Sequence, residues 1–167
     1  GDQNIRQLNP GDAIDAGQQW SNSGNSILIS KVAGFGGYME SGGWLAAPEG
    51  YAGVRLISGQ DTLFGWLKIL ATVNANFGAT SLKILQWAIQ ESSSTAPHVE
   101  AGATTGLVPC SNALQLNLGP PVPMGSNSIK ADSLDLNGDN VFDVALVVSA
   151  SNIAGEVKSS VFWKGLH

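Results

Sequence analysis

Residues 51–58 and 63–70 are two apolar, β-branched runs held apart by Gly59-Gln60-Asp61-Thr62. A glycine-bearing connection that short closes an antiparallel hairpin, and a hairpin with two apolar arms has to sit inside a sheet. Residues 81–91 follow after the turn at 74–78. Their Leu, Lys and Gln content would suit a helix, yet Leu85, Trp87 and Ile89 alternate with Ile84, Gln86 and Ala88, which predicts a third strand. The same pattern predicts strands at 27–32, 114–118, 143–150 and 157–163, with a short edge strand at 12–15. Residues 34–44 are glycine-rich but lack G-x-G-x-x-G spacing and lead into no helix, so they read as a loop carrying aromatic rings. Residues 92–109 read as a long polar loop. Seven to eight strands and no helix predict an all-β fold, an antiparallel β-sandwich or jelly roll, in a single domain over residues 1–167.

Charge narrows the partners. Only 13% of residues are charged, the net charge is −5 and the pI is about 4.7. Eight basic residues spread along the chain do not form the cationic surface that nucleic acid or an anionic membrane requires. No apolar run reaches the ~18 residues of a membrane span, so no membrane insertion is expected. Cys110 is the single cysteine, which excludes an internal disulfide and reads as a small buried hydrophobe. The sequence does not address the oligomeric state.

The acidic residues are not evenly spread. Asp132, Asp135, Asp139 and Asp143 crowd into one short segment, although the whole chain has only 13 acidic residues. Asp135, Asn137, Asp139 and Asp143 occupy positions 1, 3, 5 and 9 of a loop, and the backbone carbonyl of Val141 falls at position 7. Oxygens at that spacing converge on one hard cation, so Ca²⁺ is the expected cofactor, with Gly138 easing the bend. The bidentate Glu that closes a helix-loop-helix site is absent, and residues 145–147 are Ala-Leu-Val, so the loop runs into a strand. The plainer alternative is a polar Asp/Asn/Gly turn between strands.

The run YAGVRLISGQDTLFGWLKI with TSLKILQWAIQE resembles a module of exported bacterial proteins, those with PEP-type sorting signals and Bacteroidetes surface proteins. The residues that carry the resemblance are Tyr51, Gly53, Arg55, Phe64, Gly65, Trp66, Leu67, Ala88 and Glu91. It spans roughly residues 8–102 and implies export and a β-rich fold, with no catalytic residue. Relatives of this kind carry a similar acidic loop before the hairpin, whereas here it comes after. The calcium loop also looks like those of integrin-type propellers and dockerins, which repeat it, and this chain holds a single copy.

These features point to a secreted or cell-surface bacterial module, stabilised by calcium and serving binding or adhesion, with a glycan or a surface protein as partner. Phe35, Tyr38 and Trp44 share the glycine-rich passage and form the expected ring platform for a sugar. Trp20 and Trp44 are open between surface and rim packing, while Trp66, Trp87 and Trp163 lie on strand patterns and read as core. A purely structural surface domain is the alternative. An enzyme is not expected: for a glycoside hydrolase, Glu40, Glu49, Asp61, Glu91 and Glu100 show no recognisable pairing, and His98 and His167 fit no triad.

Overall fold

The computed structural model describes residues 3–4, 6–20, 26–34, 37–41, 44, 47–58, 60–73, 80–91, 98–105, 107–110, 114–117, 123–154 and 156–165. Among them there are strands and no helix. The strands are β1 (Gln3–Asn4), β2 (Ala13–Asp15), β3 (Ser26–Gly34), β4 (Gly37–Ser41), β5 (Glu49–Ser58), β6 (Asp61–Val73) and β7 (Thr80–Gln90), then β8 (His98–Glu100), β9 (Leu107–Cys110), β10 (Leu114–Asn117), β11 (Ser126–Leu134), β12 (Val144–Ile153) and β13 (Glu156–Gly165).

One sheet runs β1-β3-β13-β12-β11 with β4 also on β3, a second runs β10-β7-β6-β5 with β9 on β7, and β2 pairs with β8. Every pairing is antiparallel except the short β1–β3 contact. Successive hairpins stay within one sheet, β5-β6-β7 in one and β11-β12-β13 in the other, so of the two expected architectures the sandwich describes the chain. The two inner faces share one core. Val144, Leu146, Val148 and Ala150 alternate inward along β12 and meet Leu67, Ile69, Leu82, Ile84, Trp87 and Val161.

A β-bulge decides which residues of β7 reach that core. The β6–β7 register shifts between Lys68 and Ile69, which pair with Gln86 and Ile84, leaving Leu85 as the extra residue. Side chains alternate with period two, so one inserted residue reverses the parity. Leu82 and Ile84 on one side of the bulge, and Trp87 and Ile89 on the other, therefore point into the same core. The alternation expected from Ile84 to Ile89 is broken at Leu85.

The outer face of the β5-β6-β7 sheet is also covered. Phe64, Trp66 and Ala88 pack against Leu8, Ile14, Val99, Ala101 and Leu107, a second core closed by the β2–β8 pair. This explains why 63–67 is an unbroken apolar run: a strand buried on both faces has no solvent side on which to alternate. Gly65 lies opposite Ile89 of β7, with the β7 backbone close against it. A Cβ there would lie 3.0 Å from Ile89 Cα and closer still to the Ala88 carbonyl oxygen.

Two stretches expected to be loops contain strands. β4 lies in the passage 34–44 and folds back on β3, with Gly34 opposite Gly37, while β8 lies within 92–109 and β9 begins there.

Trp66 is 1% exposed, and its Nε1 donates to the Ala103 carbonyl at 2.8 Å. Trp66→Ala is expected to cost about 3–5 kcal/mol in urea unfolding. Gly65→Ala should also destabilise, although it adds only one methyl group, because backbone rather than a movable side chain stands in the way. An unchanged urea midpoint in either variant would contradict the double burial of β6.

Candidate metal centre

The acidic loop connects β11 to β12, neighbours in the larger sheet. Its base is anchored by the Asp143 N–H donating to the Leu134 carbonyl at 2.8 Å and by Leu136, which is buried in the sandwich core. The side chains expected at positions 1, 3, 5 and 9 organise the loop's own backbone. Asp135 accepts from the N–H groups of Gly138 and Asn140, both at 2.7 Å. Asn137 Oδ1 accepts from Asp139 N–H at 3.0 Å, and Asp139 Oδ1 accepts from Val141 N–H at 2.8 Å. Asp143 Oδ2 accepts from Leu136 N–H at 2.7 Å, and Asn137 Nδ2 donates to Asp139 Oδ2 at 3.1 Å. These Asx turns hold the loop in shape with no help from helix or sheet.

Two residues adopt the left-handed conformation, Gly138 (φ 80°) and Asn140 (φ 68°). Asn140 stands at position 6, the sharp turn of a calcium loop that glycine ordinarily fills, and asparagine is among the few other residues that adopt this conformation readily. Gly138 alone was expected to carry the bend; the two share it.

Asp143 lies at the inner end of the loop, next to the strand β12. It is 9% exposed. Burial pushes its carboxyl above the usual carboxylate range, Asp139 and Asp135 add repulsion in the same direction, and the N–H groups of Leu136 and Asn137 pull the other way. Among the described residues, no three His, Cys, Asp or Glu side chains form a group arranged to hold a metal ion. The oxygen set of a calcium loop also draws on an amide and a backbone carbonyl, here those of Asn137 and Val141. An oxygen that accepts one N–H keeps a second lone pair, so the donor set of two carboxylates, an amide and a buried carboxylate fits a hard cation chemically.

Of the three rings expected to form an aromatic platform, Trp44 does not reach the surface. Trp44 is fully buried in the sandwich core, and its Nε1 has no hydrogen-bond partner among the described residues. A ring enclosed in this way cannot stack on a sugar. Tyr38 lies on β4 rather than on a loop, its side chain is outside the described residues, and so is Phe35. Trp20 is half-buried, with Nε1 donating to the Asp15 carbonyl at 3.0 Å, its ring against Phe64 and the Arg55 guanidinium 5.2 Å from the ring centre.

The Tyr/Gly/Arg and Phe/Gly/Trp residues have a structural role. Tyr51 meets the edge of Trp66 at 5.4 Å, a Cβ on Gly53 would lie 3.3 Å from Ile14, and Arg55 covers Trp20. All three face the second core, so these residues define a surface on which the N-terminal segment docks. Glu49 is committed to an ion pair with Lys68 at 2.9 Å. No family model, curated protein or solved structure matches the chain.

The raised carboxyl of Asp143 makes a signed prediction. The folded state holds the Asp143 proton more tightly than the unfolded state, so this contribution to stability is present below about 3.8, the unpaired value, and is lost as pH rises through the elevated one. In chelator, the stability of Asp143→Asn relative to wild type should therefore increase across that window, read by urea titrations at several pH values. Parallel pH profiles would remove the argument from burial and repulsion together.

Proposed function

We propose that the chain is a calcium-stabilised β-sandwich module of an exported or cell-surface protein, with Asp135, Asn137, Asp139, the Val141 carbonyl and Asp143 as its calcium ligands. The observation that carries this reading is a buried carboxylate at Asp143 that two further carboxylates repel, in a loop whose sixth position takes the left-handed turn. A divalent cation would convert that mutual repulsion into attraction, with water completing about six or seven oxygens at ~2.4 Å. Millimolar extracellular calcium suits a loop without the closing bidentate Glu.

The role of the module is adhesive or structural, with calcium setting its rigidity. Burial of Trp44 favours the structural reading over glycan stacking, because it withdraws the central ring of the expected platform. If binding is its role, the partner is met by polar loop or sheet surface rather than by that ring.

Melting in chelator and in calcium tests the proposal. At a hundredfold excess over its Kd, calcium should add about 2.7 kcal/mol of stability. Asp139→Ala should abolish that gain. Asp143→Asn should stabilise the chain in chelator and lower its stability in calcium, a reversal of sign that a merely polar turn would not produce. Coincident melting curves for wild type in the two buffers would end the proposal.

A further inference from the structure

Asn137 and Gly138 form the only Asn-Gly step in the chain. The backbone nitrogen that follows an asparagine can attack the side-chain carbonyl carbon and close a succinimide ring, and glycine hinders this least because it has no Cβ. The same loop contains a comparison. Asn140 is followed by Val141, whose branched side chain crowds its own backbone nitrogen.

The loop presents each reacting atom of Asn137 and Gly138 to a partner. Gly138 is exposed, and among the described residues no atom lies within 4 Å of where its Cβ would stand, so the reacting bond is open to water. Gly138 N–H donates to Asp135 Oδ1 at 2.7 Å, an acceptor placed for the proton that this nitrogen must give up. Asn137 Oδ1 accepts from Asp139 N–H at 3.0 Å. Negative charge grows on that oxygen when its carbon is attacked, and a fixed N–H donor stabilises it there. Asn137 Nδ2, the leaving nitrogen, donates to Asp139 Oδ2 at 3.1 Å.

We propose that Asn137 is a site of self-modification, converted to aspartate or isoaspartate by attack of the Gly138 nitrogen. A bond forms between Gly138 N and Asn137 Cγ, the Cγ–Nδ2 bond breaks, and the Gly138 amide proton departs with Nδ2 as ammonia. Water then opens the succinimide. Opening at the side-chain carbonyl gives aspartate, and opening at the backbone carbonyl gives isoaspartate, in which the chain runs through the side-chain carbon. No oxidant or reductant takes part. Either product puts a carboxylate at a position where the proposed calcium site uses an amide, and isoaspartate also lengthens the backbone between Asp135 and Asp139. That consequence rests on the proposed calcium site, whereas the modification itself does not.

Ageing the full chain in chelator near neutral pH, with peptide mapping by mass spectrometry and isoaspartate counted by its enzymatic methylation, tests the proposal. The peptide carrying Asn137 should gain the mass that separates an acid from an amide about tenfold or more faster than the one carrying Asn140, and its products should include isoaspartate. Gly138→Ala should slow the conversion by about tenfold or more, since a methyl group beside the attacking nitrogen disturbs its approach. Circular dichroism will verify that the variant keeps its fold, and the comparison of Asn137 with Asn140 requires no variant. An Asn137 amide that survives as long as that of Asn140, aspartate formed without isoaspartate, or a Gly138→Ala chain that converts at the wild-type rate would each overturn the proposal. Calcium is absent throughout, so these results are independent of whether the loop binds it.

Discussion

Between Leu63 and Leu67, strand β6 has no wet face, and the rest of the molecule is arranged around that fact. Leu67, Ile69 and Ala71 look into the sandwich while Phe64 and Trp66 look away from it, so the strand is stable only if something covers each side. The opposite sheet covers the first. The second is covered by Leu8, Ile14 and the β2–β8 pair, short elements that could not hold a sheet of their own. Gly65 lets β7 come close enough for both arrangements to coexist. The N-terminal segment is consequently as much a part of the fold as the central strands.

The acidic loop obeys a different physics at the far end of the larger sheet. Its backbone is satisfied internally by Asp and Asn side chains, while its charges repel one another. Leu136, one residue after the first proposed ligand, is plugged into the main core. Electrostatic relief in the loop is thereby coupled to the packing of the whole sandwich.

The long strands were legible because their signals are local: an apolar run, a glycine turn, an alternation. The β5–β6 hairpin, β7 and β12 fall where those signals place them. The bulge at Leu85 was not legible, because an inserted residue leaves the composition of a strand unchanged and shows itself only in the partner's register. β2 falls within the edge strand expected at 12–15, but its partner β8 was harder still. Residues 13–15 find their partner at 98–100, and no short-range pattern encodes a pairing across that separation. Trp44 was misplaced because its glycine-rich neighbours suggested exposure, whereas the ring fills the core. Asn140 could have been found from the sixth-position rule, since asparagine is a usual substitute where glycine is absent.

Strand order also has a temporal meaning. β13 (Glu156–Gly165) lies between β3 (Ser26–Gly34) and β12, so the larger sheet is closed by a strand near the end of the sequence pairing with one near its start. Val161 supplies part of the shared core from that last strand. A ribosome synthesising this chain would therefore emit every strand from β3 to β12 before the central ladder of the sheet could form. Until β13 emerges, the hairpin β5–β6 has neighbours in sequence but lacks a complete opposing layer, and such long-range closure is slow to nucleate. The topology thus delays commitment to the native state until β13 is available to join β3 and β12.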